Sequence, residues 1–588
     1  MAKAKKIPYG MTNLESIIRE GYYYVDKTHF IPKLEEDGRY VIFLRPRRYG
    51  KSITIAMLEY YYGLQYADRF EGIFSELYIG QHPTELRNSY LVLSLNFSAV
   101  DPDKDKVEES FNANLLLSLR SFARKYKAYL PEGAEALMQS QTHCCVAFNS
   151  LCDMVSDTPY KMYVMIDEYD NFANTLMSYD EGAYMNLTHG DGFFRLFFNS
   201  LKAVTTGAGA VVDRMYISGV SPLTLSDVTS GFNIGENLSL LADYNSMVGF
   251  TEQEVKEMLQ YYYDTMGQFR HTVDELLEVM RPWYDNNCFS ELCLDDEHMF
   301  NSDMVLYFIN QYMRSRFTLP SEMIDTNVSS DYGKMRKMVR IEQNFGHNAQ
   351  ILQQITMQGY SSSPLKREFS ISELHEPRIL PSLMYYMGML THGLSPNGHP
   401  SLVVPNLVVR EQYYKYLDDC YDRNMQWEME LWEYDQLGVR MARDGEGEPL
   451  LRFVAEQIRE NSSTRDFDVK AESFVKGFML AKLGGMVSYF ISATEPDMNH
   501  GYADLYLEPW TERTSHAYII KLKYLHAGAT DAEVEAKRLE AIDQAHKYAQ
   551  DKQLNQRAAA KGWTLHKFVI VFSGWQVRVV EKVSPAAL

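Results

Sequence analysis

The chain has 588 residues, too many for one hydrophobic core, and its length predicts about three or four domains. At 46% hydrophobic and 23% charged it has the balance of a folded protein, and no apolar run approaches the roughly 18 residues that cross a membrane. The formal charge of −20 repels nucleic acid over most of the surface, but from Ala455 onward 17 Lys+Arg offset 17 Asp+Glu, so the excess lies before that point.

The opening MAKAKKIPYG is basic with no apolar segment behind it, so no signal peptide is expected and the cytoplasm is the expected location. Up to about residue 245, short apolar strands alternate with helix-length segments. The strands are 40–44 (YVIFL), 90–97 (YLVLSLNF), 162–166 (MYVMI) and 214–220 (RMYISGV). Each is nearly continuous in apolar character, as in a parallel sheet covered on both faces. The segment 51–62, stopped by Gly63, is predicted to be a helix. The pattern is that of an α/β, doubly wound parallel sheet.

RPRRYGKS (45–52) follows the first strand and opens that helix. In a phosphate-binding loop, backbone N–H groups, the helix dipole and a lysine converge on the β- and γ-phosphates, and the adjoining Ser or Thr ligates Mg²⁺. Gly50, Lys51 and Ser52 supply that ending, whereas Arg45 stands where a first glycine is usual. The strand MYVMI runs into Asp167 and Glu168. A carboxylate at the tip of a buried strand needs a partner. Here Asp167 is expected to hold Mg²⁺ through water, and Glu168 to orient and deprotonate an attacking water. Together the loop and the acids predict a nucleotide site. The strand RMYISGVSPL carries Ser218 and Ser221, placed either to sense a γ-phosphate or only to end a strand. Arg195, in GDGFFRLFFNSLK, is open between a phosphate-sensing arginine and a snorkelling surface one.

Cys144, Cys145, Cys152, Cys288, Cys293 and Cys420 form no CxxC pair and are expected to be reduced and mostly buried. For His143-Cys144-Cys145, packing is the expected role and metal binding the alternative. Thr251 opens a capping box before a helical, acidic stretch reaching about residue 345. LPSLMYYMGMLTHGLSPNGHPSLVVPN (380–406) has the outline of a helix followed by a hairpin, either a winged-helix module or a structural connector. ARDGEGEP (442–449) is the best linker by composition.

YYYVDKTHFI (22–31), RPRRYGKS, VMIDEYDNF and ISGVSPL, in this order, resemble the bacterial AAA-ATPase-like family. The match extends through YYMGMLTHG and VVPN. The resemblance implies a P-loop ATPase using ATP and Mg²⁺, with Arg47 and Arg48 in a loop that the family reads as RPRR-aromatic-GKS. It also implies a C-terminal domain with the PD-(D/E)xK nuclease, or restriction-endonuclease-like, fold. Such a nuclease needs an acid ending one strand and acid-x-lysine on the next, the acids binding Mg²⁺. Asp504 supplies the first acid and Lys523 the lysine, but Lys521 occupies the second acid's position. Glu472 on the preceding helix and Gln544 with Tyr548 on the following one complete the outline. Period-two alternation places Lys521 and Lys523 on one face, where both are expected to meet Asp504 and make the pocket positive. Glu508, roughly 13 Å along the strand from Asp504, is too far to replace the missing acid.

The expected organisation is an ATPase domain over 1–245, a helical lid region over 246–345, a winged-helix-like region over 346–441 and a nuclease-like domain over 450–588. The favoured function is an ATP-hydrolysing protein whose degenerate nuclease fold binds DNA or a protein partner. An ATP-gated active nuclease and a nucleotide-dependent signalling switch are the alternatives. No membrane association is expected, and an oligomer is compatible with the sequence.

Overall fold

The computed structural model describes residues 4–207, 210–228, 234–296, 298–326, 328, 347–374, 376–425, 431–461, 471–486, 489–494, 503–510 and 514–584. The chain divides into two compact units, one formed by Met1–Asn348 with Tyr360–Asn406, the other by Ala349–Gly359 with Leu407–Leu588.

The first unit is built on a five-stranded sheet of β1 (Tyr40–Leu44), β2 (Tyr90–Asn96), β3 (Lys161–Asp167), β4 (Val212–Gly219) and the short β5 (Glu236–Asn237). Its order is β2-β3-β4-β1-β5 and every pairing is parallel. The four long strands are buried along most of their length, which is why their sequences are apolar runs rather than alternations. Since β4 lies between β1 and β3, the loop after β1 and the acids after β3 flank one strand tip, the crevice where ligands of open α/β sheets bind. The helix Lys51–Tyr62 ends at Gly63, as its sequence predicts.

Further along, Glu252–Met266 opens on the expected capping box, Thr251 with Glu254, and stops at Gly267 with φ 61°. The helices Val273–Tyr284 and Ser302–Arg314 follow; residues 329–345 of the expected lid lie outside the described residues. A three-stranded antiparallel sheet joins β6 (Tyr360–Ser361), β7 (Thr391–Leu394) and β8 (Pro400–Val403) in the order β6-β8-β7. The helix before its hairpin, Leu380–Tyr386, is buried at all seven positions. A helix buried all round is a core element with no face to offer a DNA groove.

The second unit has a five-stranded mixed sheet. Its strands are β9 (Phe490–Thr494), β10 (Leu505–Pro509), β11 (His516–Leu525), β12 (Thr564–Ser573) and β13 (Gln576–Lys582), ordered β13-β12-β11-β10-β9. Only β11 and β12 run parallel, joined by a crossover containing the helix Asp531–Tyr548. Tyr518, Ile520 and Leu522 of β11 face a core shared with the helices Gly447–Asn461 and Ala471–Gly484. Ala517 and Ile519 face the other side, with Tyr548. The stretch 442–449 is not a linker. Ala442 is fully buried at the end of one helix and Gly447 begins the next, with Gly445 at φ 74° turning the chain between them. Its polar composition marks a tight turn, which sequence alone does not separate from a tether.

Candidate functional sites

Arg45 leaves the phosphate loop altogether. Its guanidinium, 2% exposed, lies between the rings of Phe43 and Phe289, at 4.4 and 4.3 Å from their centroids. It donates to the carbonyls of Leu44, Ser239 and Tyr244. Its main chain has no positive φ, so the position does not require glycine; Arg48 (φ 71°) and Gly50 (φ 97°) make the left-handed turns instead.

Beyond this anchor, Lys51 Nζ donates to the carbonyls of Arg45 and Pro46, each at 2.9 Å. Burial lowers the Lys51 ammonium to about 8, against the pull of Asp167 and Glu168. The Ser52 hydroxyl donates to Asp167 Oδ2 at 2.7 Å, and Ser218 donates to Oδ1 at 3.1 Å. Ser52 and Asp167 are therefore adjacent oxygen donors, a set suited to Mg²⁺. Glu168, at φ 50°, is raised above the usual carboxylate range by burial and then by Asp167. The left-handed conformation of Glu168 costs of order 1–2 kcal/mol. Asp170, 1% exposed, accepts from the N–H groups of Val220 and Ser221 and so ties the end of β4 to the segment carrying Glu168.

A cavity of about 570 Å³ opens over these groups, lined by Arg47, Arg48, Gly50, Lys51, Ser52 and Glu168. It is lined as well by Gly10–Thr12, Tyr23–Val25, Met247–Phe250, Met258 and Leu306, none of which the sequence marks as part of a site. Arg47 donates to Asn171 at 3.1 Å, and Arg48 pairs with Asp303 at 3.6 Å. Asp303 N–H and Ser302 Oγ reach the Arg48 carbonyl, both at 3.3 Å, and Gly249 N–H reaches the Tyr49 carbonyl at 2.8 Å.

In the second unit a different polar cluster surrounds Asp504, whose side chain is 5% exposed. Lys476 meets one carboxylate oxygen at 3.1 Å and Lys521 the other at 2.9 Å. Leu522 N–H donates to the latter oxygen at 2.8 Å. Lys523 does not meet Asp504 and pairs with Glu540 at 2.7 Å. The second ammonium on Asp504 belongs to Lys476, which also reaches Glu472 at 3.3 Å. Burial opposes the Lys476 charge, but Asp504 and then Glu472 raise its pKa. The expected positive pocket is thus a balanced one, with Glu472, Asp504 and Glu540 set against Lys476, Lys521 and Lys523. Gln544 donates to Glu540 at 3.3 Å, and Glu508 is turned to Arg557 at 3.4 Å. Among the described residues no three metal-ligating side chains converge on Asp504.

Residues 8–229 match the family model described as "Predicted AAA-ATPase", and residues 470–582 the model of the PD-(D/E)XK nuclease superfamily. The chain carries an AAA-ATPase-like domain and a PD-(D/E)XK nuclease-superfamily domain. An uncharacterized protein in the vnfD 5′ region of Azotobacter chroococcum mcd 1 is 28% identical over 265 residues. That covers 43% of this chain and 44% of that protein, so the chain spans less than half of the curated relative it matches. The solved structure of the Aeropyrum pernix Orc1 protein in complex with DNA covers 71% of this chain and 95% of its own, at 10% identity and a TM-score of 0.27. A likeness that loose carries no argument.

Within the AAA-ATPase-like domain the loop and the β3 acids come together. Ser218 is fully buried against Asp167 and Ser221 is fully buried too, so neither lines the cavity. Arg195 sits half-buried on the helix Phe193–Ala203, also outside the cavity lining. His143, Cys144 and Cys145 lie at the start of the helix Cys144–Ser156. There a hydrogen bond from the Cys144 thiol lowers the Cys145 thiol to about 7, with Ser200 contributing, while burial opposes both. No helix among the described residues is long and apolar enough to cross a membrane.

Proposed function

We propose that the protein binds and hydrolyses ATP in the AAA-ATPase-like domain and uses its nuclease-superfamily domain to bind, not to cut. The observation carrying the first half is the pair Ser52–Asp167 at 2.7 Å beside Lys51, under a cavity of about 570 Å³. Lys51 exchanges its two loop carbonyls for phosphate oxygens, and the loop N–H groups after Arg48 hold the β-phosphate. Ser52 and Asp167 would hold Mg²⁺, which when bound neutralises charge on the β- and γ-phosphates. Glu168 orients a water in line with the γ-phosphorus and takes its proton. Arg47 and Arg48, with Lys27 paired to Glu254, are the remaining cationic groups on the cavity wall.

The second half rests on Asp504, whose two oxygens are already taken by Lys476 and Lys521. An ammonium in a ligand's place repels a divalent ion; at an effective dielectric near 20, a unit-charge contact at ~4 Å amounts to about 4 kcal/mol. The domain retained its fold and lost a carboxylate, which leaves DNA or a protein partner as its ligand. The test is turnover and cleavage together. Lys51→Ala should abolish nucleotide binding, and Glu168→Gln should retain ATP but stop hydrolysis. DNA should stay intact with Mg²⁺ or Mn²⁺. Unchanged affinity in Lys51→Ala would overturn the ATP site; cleavage that Asp504→Ala abolishes would overturn the non-cutting domain.

A further inference from the structure

We propose that His143, Cys144 and Cys145 form a binding site for a thiophilic divalent cation of the zinc class, separate from the nucleotide cavity. One ring nitrogen and the two sulfurs all lie within 4.8 Å of one another. The backbone makes this convergence possible. His143 is extended (φ −117°, ψ 124°) and the helix Cys144–Ser156 begins directly after it, so three successive side chains gather instead of alternating. A second element holds the corner in place. Asn112, on the helix Val107–Lys125, accepts from Cys144 N–H at 2.8 Å and donates to the Thr142 carbonyl at 3.0 Å.

Burial is graded across the three ligands. Cys144 is 5% exposed, Cys145 is intermediate and His143 is exposed, so an ion enters from the histidine side. The first turn of a helix of 13 residues favours thiolates there. Two sulfurs and an imidazole are a soft set that selects zinc-like ions over the Mg²⁺ favoured by Ser52 and Asp167. Tetrahedral coordination with Zn–S near 2.3 Å places two sulfurs about 3.8 Å apart. A separation of at most 4.8 Å therefore closes with about 1 Å of side-chain movement. Three protein ligands leave a fourth position for water.

The experiment is a titration of the reduced, full-length protein with Co²⁺ in the presence of Mg²⁺. A thiolate-to-cobalt charge-transfer band should saturate at one ion per chain and vanish on adding Zn²⁺. Cys144→Ser and Cys145→Ser should each abolish it, and His143→Ala should weaken binding about tenfold or more. Cys152→Ser, buried about two helical turns further along, should leave it intact, and Zn²⁺ should raise the unfolding temperature of the parent chain but not of Cys145→Ser. Retained ATP turnover in the serine variants shows that they are folded. Absence of the band at equimolar cobalt, or its survival in the Cys144→Ser/Cys145→Ser double variant, overturns the proposal.

Discussion

Arg45 is buried between two rings and three carbonyls, and its departure from the usual glycine is the means by which the phosphate loop is anchored. Removing the guanidinium leaves buried carbonyls without their donor, at about 1–3 kcal/mol for each group left unsatisfied, so Arg45→Ala should lower the unfolding midpoint strongly. Arg45→Lys keeps a charge but not the planar fork, and should weaken ATP binding even where the protein stays folded; a titration with unchanged affinity refutes the anchoring role. The sequence singled out Arg45 as unusual but gave no partner, because Ser239 and Tyr244 lie nearly two hundred residues away. Lys51 and Glu168 predict a pH profile. Lys51 must be charged to hold phosphate and falls to about 8 when free, so affinity should drop about tenfold per pH unit above 8. Glu168 must be ionised to act as base and is raised, so turnover should fall on the acid side at a pH above the usual carboxylate range. Affinity that stays flat from pH 7 to pH 10 would contradict the Lys51 assignment.

Among the elements, legibility followed locality. The strands 40–44, 90–97, 162–166 and 214–220 and the helix 51–62 were readable because a parallel sheet covered on both faces writes itself as short apolar runs. What faced what was not. Periodicity put Lys521 and Lys523 on one face of β11, yet only Lys521 meets Asp504, because Glu540 draws Lys523 aside. Lys476 went unnoticed although it stands four residues after Glu472, the spacing that puts both on one helix face. The cluster makes a reversal testable. Lys521→Glu restores acid-x-lysine beside Asp504, and should create Mn²⁺ binding measurable by calorimetry, while Lys521→Glu with Asp504→Asn should not. Equal binding by both would show that the ion sits elsewhere. The helix Leu380–Tyr386 taught the opposite lesson. Helix followed by hairpin was the right outline, but only the structure reveals that all seven side chains of that helix are buried.

Over the whole molecule the charge is lopsided, −20 in total against a balanced stretch from Ala455 to the end. If the nuclease-superfamily domain is the one that binds DNA, stimulation of ATP turnover by DNA should fall steeply as salt rises; stimulation indifferent to salt, or absent at low salt, points to a protein partner instead. The phosphate loop also depends on residues from far along the chain. Gly388, at φ 77°, passes so close to Pro46 that a Cβ there would lie 2.7 Å from its ring, and Tyr385 donates to the carbonyl of Phe289, the residue whose ring covers Arg45. A ribosome therefore finishes Lys51 long before it makes the support that the loop rests on. Contacts between such distant segments form late because the intervening chain must first be ordered. A nascent chain lacking residues beyond 380 carries the whole loop signature without the support it rests on, so the proposed site is completed only near the end of the first unit's synthesis.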